Sequence, residues 1–299
     1  MLDDQGEHRD AGAFVGLATV DLGYLVAGYP IEDTKATALD QFTAAGGPAT
    51  NAAVTFGFLG GQACLATSMG RHWLTRVVRE DLEQHGVAVT DLTPDTEGAP
   101  PASSIIVAEA TASRTIVSLD ATRTHAPAPA DPRALLGGAR IVLVDGHLTE
   151  PCAALAETAR AAGVPVVFDG GRWRASHKDL LGHVSVAICS NRFDPPDAGG
   201  DVHAYLHDLG VQHVAITSGE APIRWSSASG DTGVIKPPVI RAADTLGAGD
   251  IFHGAFSYYF AAGYPFPRAL EAASIVAASS CESFGTRSWM VAGREKYAA

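Results

Sequence analysis

The sequence is poor in basic residues, aromatic residues and cysteine. Its 299 residues include 21 lysines and arginines against 33 aspartates and glutamates, which leaves a formal net charge of −12. Non-specific nucleic-acid binding needs clustered lysine and arginine, and base-stacking platforms need aromatic side chains, which make up only 7% of this chain. The composition therefore argues against a nucleic-acid partner. Any anionic ligand must be held by local features of the fold.

Cysteine and long apolar runs are also scarce. The four cysteines, at positions 64, 152, 189 and 281, form no C-x-x-C pair. We therefore expect buried free thiols instead of a zinc site or a disulfide framework. The sequence contains no run of about 18 apolar residues, the length that a membrane-spanning helix needs. The polar start MLDDQGEHRD does not resemble a signal peptide, so we expect a cytoplasmic protein with no membrane partner.

The chain does contain a regular alternation of apolar runs and helical segments. Short runs at 140–144, 164–168, 184–189 and 213–217 are rich in β-branched residues and typical of strands buried on both faces. The segments at 151–162 and 202–209 lie between them and are each followed by glycine, as helices often are. Strands that alternate with helices predict an α/β domain with a parallel sheet.

Polar residues follow these strands at the same end. Asp145, Asp169, Asn191 and Thr217 each lie at or just beyond the carboxyl end of an apolar run. Each alone is an ordinary turn former or helix cap. Because ligands of open α/β sheets bind outside the carboxyl ends of the strands, the four together predict a cleft at that edge.

A second group of strands lacks intervening helices. We predict strands at 14–19, 22–29 and 38–43, and a hairpin of 103–109 with 114–119. Proline-rich stretches flank the hairpin at 99–101 and 126–132. These strands predict a small second sheet beside the main one.

A run of small residues, AADTLGAGD at 242–250, leads directly into an apolar helical segment. The backbone N–H groups of Gly247, Ala248 and Gly249 can close around an anion at the helix N-terminus, where the helix dipole adds partial positive charge. Asp250 lies in the first turn of that helix. Its carboxylate either takes a proton from a substrate hydroxyl or only complements the helix dipole, and the small residues beside it favour the first interpretation.

Two motifs in this order resemble the signatures of the ribokinase-like, or PfkB, carbohydrate kinases. DTLGAGD at 244–250 matches the C-terminal signature, and GGPATNAAVTFGFLG at 46–60 matches the N-terminal one. The resemblance spans residues 12–290 and implies a single three-layer α/β/α domain with a mainly parallel central sheet. It also implies a small β-sheet lid formed from segments near 22–45 and 99–125.

The resemblance implies roles for the matching residues. ATP would be the phosphoryl donor, Asp250 the catalytic base and residues 247–249 the anion hole. The residues implied for sugar binding are Asp21, Gly46, Gly47 and Asn51. The structural alternatives are a turn residue at 21, a tight turn at 46–47 and a satisfied polar side chain at 51.

Two further motifs concern the nucleotide and metal ions. The family pattern N-x-x-E corresponds to 191–194, where Asp194 replaces the glutamate, so we expect it to hold Mg²⁺ through water. The pattern T-x-G-x-x-G corresponds to 217–222, where Pro222 replaces the last glycine and removes a backbone donor. The implied nucleotide-binding residues are Asn191, Thr217, Gly219 and Ser274; helix packing is an alternative explanation for the last. Asp244 would be a ligand of a monovalent cation such as K⁺, or a turn residue.

Several other side chains have two open interpretations. Arg114 and Arg123, near the hairpin, could meet a charged substrate group, although solvation is favoured. His147, Arg172 and Trp173 could shape the substrate pocket or only pack loops. His253 is interpreted as a hydrogen-bonded core histidine.

The sequence as a whole predicts an ATP-dependent kinase acting on a hydroxyl of a sugar or sugar-like molecule. Exposed lid strands also predict a homodimer formed through the lid. A nucleoside kinase of the same fold and a non-catalytic sugar sensor are the alternatives. A dinucleotide-dependent oxidoreductase is disfavoured because no G-x-G-x-x-G follows the first strand.

Overall fold

The computed structural model describes residues 10–297. Within that range the strands are β1 (Ala11–Val15), β2 (Thr19–Val26), β3 (Asp40–Gly46), β4 (Gln62–Thr67), β5 (Ala88–Asp91), β6 (Ala102–Ala108), β7 (Ser113–Ser118), β8 (Ile141–Val144), β9 (Val166–Gly170), β10 (Val186–Ser190), β11 (His213–Ser218), β12 (Ala221–Ser227) and β13 (Thr232–Ile235). Nine of them form one sheet in the order β13-β12-β11-β10-β9-β8-β1-β4-β5.

The central sheet is mainly parallel, as predicted. All pairings from β5 across to β11 are parallel, whereas β12 and β13 form an antiparallel edge. The four apolar runs that follow residue 139 appear as β8 to β11. The edge hairpin of β12 and β13 has no counterpart among the predicted strands. Most of its residues are half-buried or exposed, whereas Ile223 and Ser226 are buried, and it lacks the continuous apolar run of a central strand.

Helices cover both faces of this sheet. They are α1 (Pro48–Phe58), α2 (Thr75–Gln84), α3 (Pro132–Leu136), α4 (Thr149–Ala161), α5 (His177–Leu181), α6 (Val202–Asp208), α7 (Ala248–Ala261), α8 (Phe266–Ser280) and α9 (Trp289–Tyr297). Ile141 and Leu143 of β8 pack in one hydrophobic core with α1, α2, α7 and α8. Val142 and Val144 face the opposite core, with α3 to α6. The protein therefore has the expected three-layer α/β/α architecture.

The remaining four strands form a separate sheet in the order β3-β2-β6-β7. Strand β2 pairs parallel with β6 and antiparallel with β3, and β6 and β7 form the predicted hairpin. The first strand ends at Val15 instead of continuing to 19, because the chain turns at Gly16. A Cβ atom at Gly16 would lie 2.1 Å from a carboxylate oxygen of Asp145, so only glycine lets the chain pass there.

Helices α1 and α7 approach each other closely. A Cβ atom at Gly254 of α7 would lie 2.3 Å from the carbonyl oxygen of Ala52 of α1. Glycine therefore allows backbone-to-backbone contact between the two helices. The contact lies beside Asn51 and one turn after Asp250, so it brings the two signature motifs together.

Two expectations from composition can be compared with the described residues. All four cysteines are free thiols, three of them buried, as expected. No helix in residues 10–297 is long and apolar enough to cross a membrane.

Candidate active site

A cavity of about 490 Å³ lies between the large sheet and the small sheet. Its wall includes the predicted residues Asp21, Gly47, Asn51, Gly247 and Asp250. Asp145 and Asp169, at the carboxyl ends of β8 and β9, also line it. A cleft is therefore present at this edge of the sheet, lined by two of the four polar residues that predicted it, and it joins residues from both signature motifs.

The N-terminus of α7 opens towards this cavity. Gly247 precedes the helix with a φ of 68°, and a Cβ atom there would lie 2.9 Å from the methyl carbon of Thr286. The buried carboxylate of Asp244 accepts hydrogen bonds from the N–H of Leu246 at 2.9 Å and of Gly285 at 3.0 Å. These bonds hold the turn before the helix. The first N–H groups of α7 have no partner within the helix and can bind an anion.

Asp250 lies in the first turn of α7, and part of its side chain faces the cavity. The amide nitrogen of Asn51 donates a 2.8 Å hydrogen bond to Oδ2 of Asp250. Burial, reinforced by the negative charge of Asp169, raises the pKa of Asp250 to about 7, while Asn51 and His253 oppose this rise. A carboxylate with this pKa can take up a proton near neutral pH.

Arg287 holds Asn51 in position. It belongs to neither signature motif, so nothing in the sequence predicts this role. Its guanidinium donates to Oδ1 of Asn51 at 2.9 Å, to the carbonyl oxygen of Ala45 at 2.8 Å and to Oδ2 of Asp81 at 3.0 Å. Because an arginine only donates hydrogen bonds and a carboxylate only accepts them, Arg287 on one side and Asp250 on the other fix the orientation of the Asn51 amide. Its amide nitrogen must then face Asp250.

Asp21 is buried on β2 and accepts a 2.7 Å hydrogen bond from the hydroxyl of Thr19. Burial raises the pKa of this carboxyl group. A Cβ atom at Gly46 would lie 2.0 Å from Oδ2 of Asp21, and one at Gly47, where φ is 103°, would lie 2.1 Å from the carbonyl oxygen of Leu17. Both glycines therefore allow a close approach within the chain, to Asp21 and Leu17.

A charged cluster forms the other side of the cavity. The fully buried Asp145 accepts hydrogen bonds from the N–H of Leu17 at 2.8 Å and of His147 at 2.9 Å. Burial alone would lower the pKa of His147, but Asp145 and Asp120 beside it raise that pKa to about 9. Arg174 donates to Asp120 at 3.2 Å. Asp120 follows β7, so these contacts join the small sheet to the large one.

Three further arginines were singled out from the sequence or lie in the cavity wall. Arg114 of β7 lines the cavity and donates to the hydroxyl of Thr245, in the turn before α7, so it is more than a solvated side chain. Arg172 also lines the cavity. Arg123 is exposed and does not belong to the cavity wall.

The predicted nucleotide residues lie beside the cavity wall and not in it. Asn191 follows β10, Thr217 is the second-last residue of β11 and Gly219 follows β11; the amide of Asn191 donates to the hydroxyl of Ser218 at 2.8 Å. Asp194 is exposed on the same loop. Ser274 is buried in α8, where its hydroxyl donates to the carbonyl oxygen of Glu271 at 2.7 Å.

Comparisons with known proteins show the family of this chain. The model of the "pfkB family carbohydrate kinase" matches residues 12–292. The chain therefore belongs to the PfkB family of carbohydrate kinases.

Individual relatives cover different shares of the chain. Ribokinase of Mus musculus is 25% identical over 301 residues, which are 95% of this chain and 93% of that protein. Ketohexokinase of Mus musculus is 33% identical over 106 residues, and that match spans only 36% of each protein. The match to ribokinase of Schizosaccharomyces pombe is similarly partial, with 36% identity over 34% of this chain and 33% of that protein.

Solved structures share the fold along almost the whole chain. A presumptive ribokinase from Agrobacterium tumefaciens has a TM-score of 0.86 and 26% identity, covering 97% of this chain and 98% of its own. Arabidopsis thaliana ribokinase complexed with ribose and ATP has a TM-score of 0.74 and 20% identity, covering 93% and 94%.

Proposed function

We propose that this chain transfers a phosphoryl group from ATP to a hydroxyl group of a sugar or sugar-like acceptor, with Asp250 as the general base. The observation that carries the proposal is the position of Asp250 in the cavity. It lies at the N-terminus of α7, in the same cavity as the buried carboxylate of Asp21. One carboxylate can bind acceptor hydroxyls while the other removes the proton of the reacting hydroxyl.

The chain's own residues divide the reaction between them. Asp21 accepts hydrogen bonds from the acceptor, and the second N–H of the Asn51 amide remains for another hydroxyl. Asp250 takes the proton as the hydroxyl oxygen attacks the terminal phosphorus of ATP in line with the departing ADP. The N–H groups of the anion hole at residues 247–249 stabilise the charge on the transferred group.

The nucleotide is proposed to lie against Asn191, Thr217 and Gly219, at the ends of β10 and β11. The ribokinase fold is known with bound ribose and ATP in the Arabidopsis thaliana protein. Ser274 fits this role less well, because its hydroxyl already bonds within its own helix.

Metal ions are part of the same proposal. The exposed carboxylate of Asp194 suits a hard cation such as Mg²⁺, but residues 10–297 contain no cluster of three metal-binding side chains. Most ligands of Mg²⁺ would therefore be phosphate and water oxygens, and the ion would neutralise phosphate charge. Asp244 remains the candidate ligand for K⁺, although its carboxylate already binds two backbone N–H groups.

The small sheet is proposed to act as a lid over the acceptor and to form a homodimer interface. Its inner face supplies Asp21 and Ser103 to the cavity. Its outer face exposes the apolar side chains Leu22, Tyr24 and Val117, which a second copy could cover. Sedimentation of the whole chain at micromolar concentration tests the dimer, and a monomer would contradict it.

An ADP-release screen over hexoses, pentoses, keto-deoxy acids, sugar phosphates and nucleosides tests the function. We expect turnover with a sugar, and Asp250→Asn should lower kcat by about 10²- to 10⁴-fold. Asp179→Asn is the matched control, because it makes the same change in the first turn of another helix, at an exposed position. Exclusive turnover of nucleosides would favour the nucleoside kinase. Sugar binding without turnover would favour the sensor.

A further inference from the structure

His253 lies one helical turn after Asp250 and is almost completely buried. Its Nδ1 lies 2.7 Å from the carbonyl oxygen of Gly249, and its Nε2 lies 3.0 Å from that of Ile188. A carbonyl oxygen only accepts hydrogen bonds, so each ring nitrogen needs a hydrogen to bond its neighbour. Both contacts are hydrogen bonds only in the imidazolium form, which carries a positive charge.

Asp169 is placed to supply the matching negative charge: burial raises the pKa of its carboxyl group, and the charge of His253 opposes that rise. Its Oδ2 lies 3.2 Å from Nδ1 of His253. Asp169 and Ile188 are register partners on the neighbouring strands β9 and β10, which explains why one ring reaches both. Within residues 10–297, Oδ2 of Asp169 is buried and has no hydrogen-bond partner. A buried oxygen of this kind is costly unless a nearby cation compensates it, as the imidazolium does.

The pair of Asp169 and His253 is linked to Asp250 through a contact of His253 with the backbone of α7. The carbonyl group that His253 contacts belongs to the peptide bond between Gly249 and Asp250. The other groups facing Asp250 are Asp21 from β2 and the neutral amide of Asn51 from α1, while Asp145 and His147 at the end of β8 face Asp169. Asp169 raises the pKa of Asp250 and His253 lowers it, so the two partners act on the base in opposite directions.

We propose that Asp169 and the imidazolium of His253 form a charge-balanced pair of positioning residues, and that removal of either charge alone changes the pH range in which Asp250 accepts a proton. The inference rests on the proposed role of Asp250 as the base. Because the two charges oppose each other, their effects on Asp250 partly cancel, while the contacts of the ring anchor the first turn of α7 to β9 and β10. His253 is then more than the core histidine expected from the sequence.

The pH dependence of kcat/KM separates this role from a purely structural one. Asp169→Asn removes the repelling charge and should move the acidic limb down by about one pH unit. His253→Asn removes the attracting charge and should move the limb up by a similar amount, with His253→Gln as a second variant if the first does not fold. The double variant should return the limb towards its original position, because both charges are removed. Single variants that move the limb in the same direction, or that leave it in place, would overturn the proposal.

The protonation state of His253 is measurable without any activity. We expect ¹⁵N NMR of the histidine-labelled whole chain at pH 7.5 to show both ring nitrogens of His253 protonated, with the resonances assigned by their loss in His253→Gln. A ring with one unprotonated nitrogen at that pH would refute the pair. The variant Asp250→Asn distinguishes failure of this inference from failure of the proposed function. Full activity of Asp250→Asn would contradict the role of Asp250 as the base. Loss of activity in Asp250→Asn, together with unmoved acidic limbs in the Asp169 and His253 variants, would contradict only the role of the pair.

Discussion

Asn51→Ala removes the hydrogen bond that favours the ionised form of Asp250. That bond is 2.8 Å long, and a hydrogen bond to a charged group contributes about 1.5–3 kcal/mol. At about 1.4 kcal/mol per pH unit, its loss corresponds to a rise of about one to two units in the pKa of the base. Starting from a pKa of about 7, the variant should therefore ionise with a midpoint about one to two units higher.

The effect on rate depends on pH in a way that identifies its cause. At pH 7 about half of the wild-type base is ionised, against about one tenth to one hundredth in the variant, so kcat/KM should fall by about 5- to 50-fold. Between pH 8 and 9.5 the difference should shrink, since the variant base then ionises as well. The assay is ADP release at limiting acceptor from pH 5.5 to 9.5, where the acidic limb of kcat/KM reports the free enzyme.

A matched control separates this effect from damage to helix α1. Thr55 lies one turn further along the same helix, and its hydroxyl donates only to the carbonyl oxygen of Asn51, at 2.8 Å. Thr55→Val should therefore leave the acidic limb unchanged. A limb that stays within about 0.3 pH units of the wild type in Asn51→Ala, with activity lowered equally at every pH, would refute the reasoning.

Arg287→Met should lower the free energy of unfolding by about 3 kcal/mol, because the carboxylate of Asp81 on α2, which is largely buried, loses its arginine partner. The control Arg268→Met removes an exposed ion pair and should lower it by under about 1 kcal/mol in the same urea titration. Equal losses in the two variants would contradict this prediction. Gly46→Ala should raise the acceptor KM at least about tenfold by displacing Asp21, and an unchanged KM would argue against that contact. The pKa of His147 is 6.5 unfolded and about 9 folded, so its contribution of about 3 kcal/mol is complete below pH 6.5 and lost as pH rises through 9. His147→Gln should remove that slope from urea midpoints measured between pH 6 and 9.5.

The central strands could be predicted because burial on both faces restricts them to mainly apolar residues. Strands β8 to β10 are buried along almost their whole length between two layers of helices, so their central residues are apolar, as are the buried residues of β11. The edge strands β12 and β13 lack that constraint, since one side of each faces solvent and polar residues are tolerated. The end of strand β1 could not be predicted from the sequence either. The turn at Gly16 depends on the carboxylate of Asp145, which lies 129 positions further along the chain.

The same distinction applies within the site. The residues of the proposed anion hole and Asp250 are adjacent in sequence and belong to one helix start, so a short motif is enough to single them out as candidates. The protonation of Asp250 depends instead on its burial and on Asn51 and Asp169, which lie on two other elements, α1 and β9. Arg287, which orients Asn51, is separated from it by 236 positions. Only folding brings these groups together, so a sequence motif can single out Asp250 as the proposed base but cannot reveal the pH at which its carboxyl group ionises.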